Sequence, residues 1–295
     1  MALIRKGIVL AGGSGSRLFP LTIATNKHLL PIYNKPMIYY PLSTLMLAGI
    51  RDILLITTPQ DLGAFQRLLG DGSHLGINLH FSVQTRPEGI AQALVLGRDF
   101  VDGHSILLIL GDNVFYGQGL PEVLREACDQ KSGATIFACP VADPERYGVV
   151  EFDSNGKAIN IEEKPESPKS NFAVTGLYYY DNQAVEIAAQ LTPSARGEIE
   201  ITDVNRVYLS NGQLRVKVLS RGFAWLDTGT HESLSRASAF VDSIETRQGL
   251  MIACLEEIAL RLGYIDAAEL RLQANRFRND YGAYLSKVLN DWEAH

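Results

Sequence analysis

The chain has 295 residues, 46% of them hydrophobic, which is enough for one large domain or two smaller ones. Its formal net charge is -6 and no basic run exceeds two residues, which argues against nucleic acid and against an anionic membrane surface, but not against a nucleotide, which needs only a few local cations. The N-terminal residues lack a signal-peptide pattern, no apolar stretch approaches the roughly 20 residues of a membrane helix, and Cys128, Cys139 and Cys254 form no C-x-x-C pair, so a soluble cytoplasmic protein without a disulfide framework is expected.

In chain order, the apolar run 7–11 predicts a strand that ends in Gly12-Gly13-Ser14-Gly15-Ser16-Arg17-Leu18, with Lys27 ten residues on. A strand ending in a glycine-rich turn exposes backbone N–H groups that bind phosphate oxygens. The dinucleotide pattern G-x-G-x-x-G matches at Gly13 and Gly15 and fails at Leu18, and the Walker pattern lacks its Gly-Lys-Ser/Thr. What remains is another kind of phosphate loop, carrying an arginine; taken alone, the segment also fits a plain glycine turn. Ile38, Leu42, Leu45 and Met46 share a helix face, with Pro36 suited to its start and Pro41 disturbing it. Strands are predicted at 53–57, 79–83 and 106–110, with a further helical face at Ile90, Leu94, Gly97 and Val101. This alternation predicts a mainly parallel sheet with helices on its faces.

From about residue 134 the texture becomes strand-rich, at 134–141, 147–152, 158–162 and 172–180, and the turn 153–157 makes a hairpin of the second and third runs. Short helices at 182–190 and 201–209 and strands at 214–219 and 223–226 follow. Beyond Thr230 the pattern is helical, with Leu234, Ala237, Val241 and Ile244 on one face and Met251, Leu255, Ile258 and Leu262 on another. This tail could pack on the parent domain, line a subunit interface or carry a regulatory site. The expectation is an α/β fold in one domain, 1–295, with parts at about 1–133 and 134–229 and a helical extension from about 230.

Ligands of open α/β sheets gather at the carboxyl ends of the strands. Those ends deliver the glycine loop, Gln84 with Arg86-Pro87-Glu88-Gly89, Gly111-Asp112-Asn113 and Asp227-Thr228-Gly229. A phosphate cradle needs a divalent cation, and magnesium takes one or two carboxylates plus substrate oxygens and water, so Asp112 and Asp227 are the candidate metal ligands. Each alone also fits a turn or helix-capping aspartate. Glu163 and Lys164 stand at a strand tip ended by Pro165, where the lysine can hold a phosphate and the carboxylate can bind sugar hydroxyls; a solvated strand end is the other reading. The histidines show no metal-ligand spacing, no G-x-S-x-G elbow occurs, and the tyrosines at 39–40 and 178–180 suit a core or an interface.

The segments LAGGSGSRL, KHLLPIYNKPMIYYPLSTLMLAGI, LGDNVFYG, DPERYGVVEF, EEKP, VTGLYYYD, RGEIEITDVN and WLDTGTH, in this order from residue 7 to about 290, closely resemble the sugar-nucleotidyltransferases. The resemblance implies a Rossmann-like mixed sheet, mostly parallel and flanked by helices, with nucleotide bound by the first part and sugar by the smaller β-rich part. It also implies a magnesium-dependent reaction of dTTP with glucose 1-phosphate, or of a related pair such as UTP with another sugar phosphate, in a homotetramer. It assigns Gly12, Gly13, Gly15, Arg17 and Lys27 to the triphosphate, Asp112 and Asp227 to magnesium, and Gln84, Gly89 and Leu10 to the base. Tyr147, Gly148, Glu163, Lys164 and Val174 would surround the sugar phosphate, with Arg196 on its phosphate side. Departures from the family's common pattern are His28 for glutamine, Ser16 for threonine, Glu88 within the base segment, and Gln118 for histidine near a proposed second nucleotide site.

Overall fold

A computed structural model describes residues 5–294. The chain enters through β1 (Arg5–Ala11), turns at the glycine loop, and makes a two-rung hairpin from β2 (Pro31–Ile32) and β3 (Lys35–Pro36) before α1 (Tyr39–Leu47). Pro36 therefore sits in a strand and does not open the helix. Pro41 falls in the first turn of α1, where a missing N–H is harmless. Next come β4 (Asp52–Thr57), α2 (Leu62–Leu69), β5 (Asn78–Val83), the short α3 (Gln92–Leu96) and α4 (Arg98–Val101), and β6 (Ser105–Leu110). The helical face expected from Ile90 to Val101 is thus broken in two, at Gly97.

After β7 (Asn113–Tyr116) and α5 (Leu120–Cys128) the antiparallel part begins: β8 (Ala134–Pro140), β9 (Gly148–Phe152), β10 (Ala158–Glu163) and β11 (Phe172–Tyr180). Then follow α6 (Gln183–Gln190), α7 (Ile201–Ser210), β12 (Leu214–Val218) and β13 (Ala224–Asp227). The tail comprises α8 (His231–Gln248), α9 (Leu255–Arg261), α10 (Ala267–Arg276) and α11 (Asp280–Glu293).

Nine of the described strands form one mixed sheet, ordered β10-β9-β11-β6-β1-β4-β5, with β8 and then β12 joined beside β11. The pairings β6-β1, β1-β4 and β4-β5 are parallel, and those of β11 with β6, β8 and β9 are antiparallel. Both faces of the central strands β1, β4 and β6 are buried, which is why these read as continuous apolar runs, whereas the edge strand β5 is half-exposed. Val9, Leu55, Leu107 and Ile109 face one core, while Ile8, Leu54, Ile56, Ile106 and Leu108 face the other.

The strand β11 changes partners along its length. Phe172 and Ala173 pair with β9, whereas Leu177–Tyr180 pairs with β6. Gly176 sits at this fork, where a Cβ would meet Asn113 Oδ1 and Leu110 Cδ1 at 2.8 Å each. Off the main sheet, β7 and β13 pair antiparallel, with Asn113 opposite Asp227. This ladder sets the site.

The tail completes the parent domain. Leu255, Leu260, Leu270, Leu285 and Leu289 are buried in one core with Met46, Ile50 and Leu75. On α8, Leu234, Ala237 and Val241 face inward as expected, but the fourth inward position is Glu245, not Ile244. Glu245 is drawn in by Lys35, 1% exposed, whose Nζ lies 2.8 Å from Glu245 Oε1. The stripe expected from Met251 to Leu262 is displaced as well: Met251 precedes α9, which buries Leu255, Glu256, Glu257, Ala259 and Leu260. No described helix is long and apolar enough to cross a membrane.

Candidate active site

Two adjoining cavities open at the carboxyl ends of β1, β5 and β6. The first, about 420 Å³, is lined by Leu10, Gly12, Gly13, Gly15, Arg17, Lys27, Gln84 and Gly89, all the residues expected at a nucleotide. The second, about 170 Å³, is lined by Tyr147, Gly148, Glu163, Lys164 and Val174, expected at a sugar phosphate, together with Asp112 and Asp227. Arg17 and Ile90 line both, so the cavities meet at the arginine. Arg196 lines neither. Its guanidinium is held by Glu200 at 2.7 Å and by Glu163 and Glu198 at 3.5 Å each, leaving it behind Glu163.

The glycine loop has the conformation its residues allow. Gly13 and Gly15 have φ of 91° and 60°, in the left-handed region that favours glycine, and Thr22 Oγ1 donates to the Gly15 carbonyl at 2.7 Å. Beneath the loop Asn26 donates to the Ala11 carbonyl and to Asp61, and accepts from the backbone N–H of His28. The His28 ring is buried, with Nδ1 2.8 Å from Asn26 Oδ1; burial and then the Lys27 charge lower its pKa to about 3. Position 28 is therefore a neutral packing residue beneath the loop.

The charged centre lies where β6 gives way to β7. Lys27 Nζ is paired with Asp112 Oδ2, and the Asn113 amide donates to Asp112 Oδ1 at 2.9 Å. Burial works to raise the Asp112 carboxyl, but Lys27, His28 and Asn113 outweigh it and leave it well below the usual carboxylate range. Burial and the Asp112 charge raise Asp227, against Lys27, Arg17 and Arg146. Two carboxylates thus face one another among three cations. Asn113, 3% exposed, accepts from Trp225 Nε1 at 2.5 Å and from the Gly176 N–H at 3.1 Å, so one side chain joins β7, β13 and β11. Thr228 donates through both N–H and hydroxyl to the Asp112 carbonyl, at 3.1 and 2.8 Å.

Around the second cavity, Arg146 Nη2 stands 3.7 Å from Asp227, and Thr202 donates to Glu163 at 2.6 Å. Lys164 has a φ of 45°, a strained value for a residue with a side chain, and its N–H donates to the Tyr147 carbonyl at 2.9 Å. Asn113, Arg146, Thr202 and Trp225 all line this cavity and were not singled out from the sequence. All four lie inside the quoted family segments, which was the available signal; their roles depend on partners far along the chain.

A magnesium ion fits this donor set. Among the described residues no group of three or more His, Cys, Asp or Glu converges as a metal cage. A pair of carboxylates beside a phosphate cradle matches an ion that takes the rest of its ligands from substrate oxygens and water.

The nucleotidyl transferase family profile matches residues 6–244. A Neisseria meningitidis protein named glucose-1-phosphate thymidylyltransferase is 58% identical over 285 residues, covering 96% of this chain and 99% of its own. One of the same name from Mycobacterium tuberculosis is 55% identical over 285 residues, with the same coverage. A crystal structure of a Bacillus anthracis protein described by that name, in complex with sucrose, superposes with a TM-score of 0.75 at 47% identity, covering 80% of this chain and 94% of that one. A UDP-glucose pyrophosphorylase complexed with UDP-glucose shares the fold, with a TM-score of 0.71 at 24% identity over 82% of this chain and all of that one. With its cavities, glycine loop and paired carboxylates in this setting, the chain belongs to the nucleotidyl transferase family.

Proposed function

We propose that the protein transfers a thymidylyl group from dTTP to α-D-glucose 1-phosphate, giving dTDP-glucose and pyrophosphate. The observation that carries the reading is the junction at Arg17: a phosphate-loop cavity and a smaller polar cavity meet there beside Lys27, Asp112 and Asp227. The names of relatives more than 50% identical over nearly the whole chain support the choice of substrates.

A phosphate oxygen of glucose 1-phosphate attacks the α-phosphorus of dTTP in line. The new P–O bond forms as the bond to the bridging oxygen breaks, and that electron pair leaves with pyrophosphate. The nucleophile is already anionic, so no general base is needed, and the barrier is the approach of two polyanions. The protein therefore works by positioning and by charge. Lys164, at the rim of the second cavity, orients the attacking phosphate, and Arg17 faces the α-phosphate from between the cavities. The glycine-loop N–H groups and Lys27 hold the departing pyrophosphate. Asp112 and Asp227 would hold magnesium, which supplies charge neutralisation at the phosphate oxygens. Glu163, oriented by Thr202, accepts from sugar hydroxyls.

Pyrophosphate release with glucose 1-phosphate across dTTP, UTP, CTP, ATP and GTP tests the proposal. The expected result is the highest kcat/KM with dTTP. A clear preference for UTP or a purine nucleotide would replace it with a related sugar-1-phosphate nucleotidyltransferase.

A further inference from the structure

A hydrogen-bonded chain of three side chains stands behind the first cavity. Gln84, buried at the end of β5, donates from Nε2 to Gln92 Oε1 at 2.6 Å. Gln92 donates from its own Nε2 to Glu88 Oε2, also at 2.6 Å, and its Oε1 accepts the Glu88 backbone N–H at 3.3 Å. The two ends of a primary amide have nearly the same shape, so one isolated contact does not set which end is which. A carboxylate at the end of the chain does set it, because an ionised carboxylate only accepts. Glu88 accepts, so Gln92 must turn its NH2 toward Glu88 and its oxygen toward Gln84. Gln84 must then give its NH2 to Gln92, which leaves its Oε1 free. That oxygen lies against the glycine loop, 2.4 Å from where a Cβ on Gly12 would stand. Gln84 and Gly12 line the cavity, whereas Gln92 and Glu88 do not.

We propose that Gln92 and Glu88 are positioning residues that set base selectivity, locking the Gln84 amide so that its oxygen, not its NH2, meets the nucleobase. The proposal rests on the reading of the first cavity as the nucleotide site. A fixed acceptor selects a ring N–H. Thymine and uracil present one at N3; cytosine presents a bare lone pair there and would leave Gln84 Oε1 facing another acceptor.

The test compares kcat/KM for dTTP, dUTP and dCTP with glucose 1-phosphate, using the full chain. dUTP separates the N3 hydrogen from the thymine methyl. The wild-type protein is expected to prefer both dTTP and dUTP over dCTP by about 100-fold or more. Gln92→Leu should lower that preference by about tenfold or more, mainly through a higher KM for dTTP, with the KM for glucose 1-phosphate unmoved. Glu88→Ala, at an exposed position, provides the same readout should Gln92→Leu fail to fold. The double variant E88Q/Q92E reverses the bond between positions 88 and 92 but places an acceptor-only carboxylate directly against the Gln84 NH2, so the Gln84 oxygen still faces the cavity; it should restore most of the preference, which a merely structural role would not do. Folded Gln92→Leu or Glu88→Ala with wild-type selectivity, or a double variant no better than Gln92→Leu, overturns the proposal. A wild-type protein that releases no pyrophosphate from dTTP, or ignores the difference between dTTP and dCTP, overturns the nucleotide-site reading itself and this inference with it.

Discussion

A methyl group at position 12 would stand 2.4 Å from Gln84 Oε1, so glycine there makes room for the Gln84 amide as well as for the turn of the loop. Gly12→Ala is expected to raise the KM for dTTP about tenfold to 100-fold, since small misplacements at a reacting site are amplified in rate; steady-state kinetics beside an unchanged circular dichroism spectrum checks it. Asp112→Asn is expected to cost about 100-fold or more in turnover while the chain stays folded, and near-wild-type pyrophosphate release by the folded variant would remove Asp112 from the metal assignment. His28 acts on stability instead. Its folded pKa of about 3 lies below the ordinary 6.5, so between those values the unfolded chain binds the extra proton and stability falls as pH falls. That slope, about 1.4 kcal/mol per pH unit well below 6.5, should be shallower in His28→Gln, as measured by urea unfolding at pH 7, 6 and 5. At this scale the glycines, Arg17, Lys27 and both aspartates were legible, because loop and strand-end residues declare themselves by type. Asn113, Thr202 and Gln92 were not, because an amide or hydroxyl acquires its role only from partners that the fold supplies.

Among the elements, the two-stranded ladder of β7 and β13 decides the site. The four-residue β7 was not expected at all, whereas β13 was expected one residue early, at 223–226. Asn113 is the pin of the ladder. Asn113→Ala strips the acceptor from a Trp225 indole N–H and a Gly176 N–H at a buried position, so a loss of about 1–3 kcal/mol for each unpaired group is expected, together with lower turnover. Urea unfolding and pyrophosphate release on the same preparation check both. The central parallel strands were read almost to the residue, since burial on both faces writes itself as an unbroken apolar run. The faces of α8 and α9 were misread where a carboxylate goes inside. Glu245 and Glu256 look like surface residues until Lys35 and Tyr281 are placed against them.

At the scale of the whole molecule, the tail is part of the largest core. Leu260, 2% exposed, packs in the core that also holds α1, and Leu260→Ala is expected to destabilise the protein by about 2–5 kcal/mol, measured as a lower urea midpoint at unchanged slope. The homotetramer implied by the family resemblance is a matter for light scattering. The bond from Thr228 to the Asp112 carbonyl spans 116 positions of sequence. During synthesis the glycine loop, Lys27 and Asp112 emerge long before the strand that brings Asp227 to them, and that long loop must close before the two carboxylates meet. A truncated or half-folded chain therefore carries the glycine loop, Lys27 and Asp112 but lacks the second carboxylate of its charge centre. Under the proposed reaction, release of pyrophosphate is in this sense a certificate of maturity, issued only by chains that have finished folding.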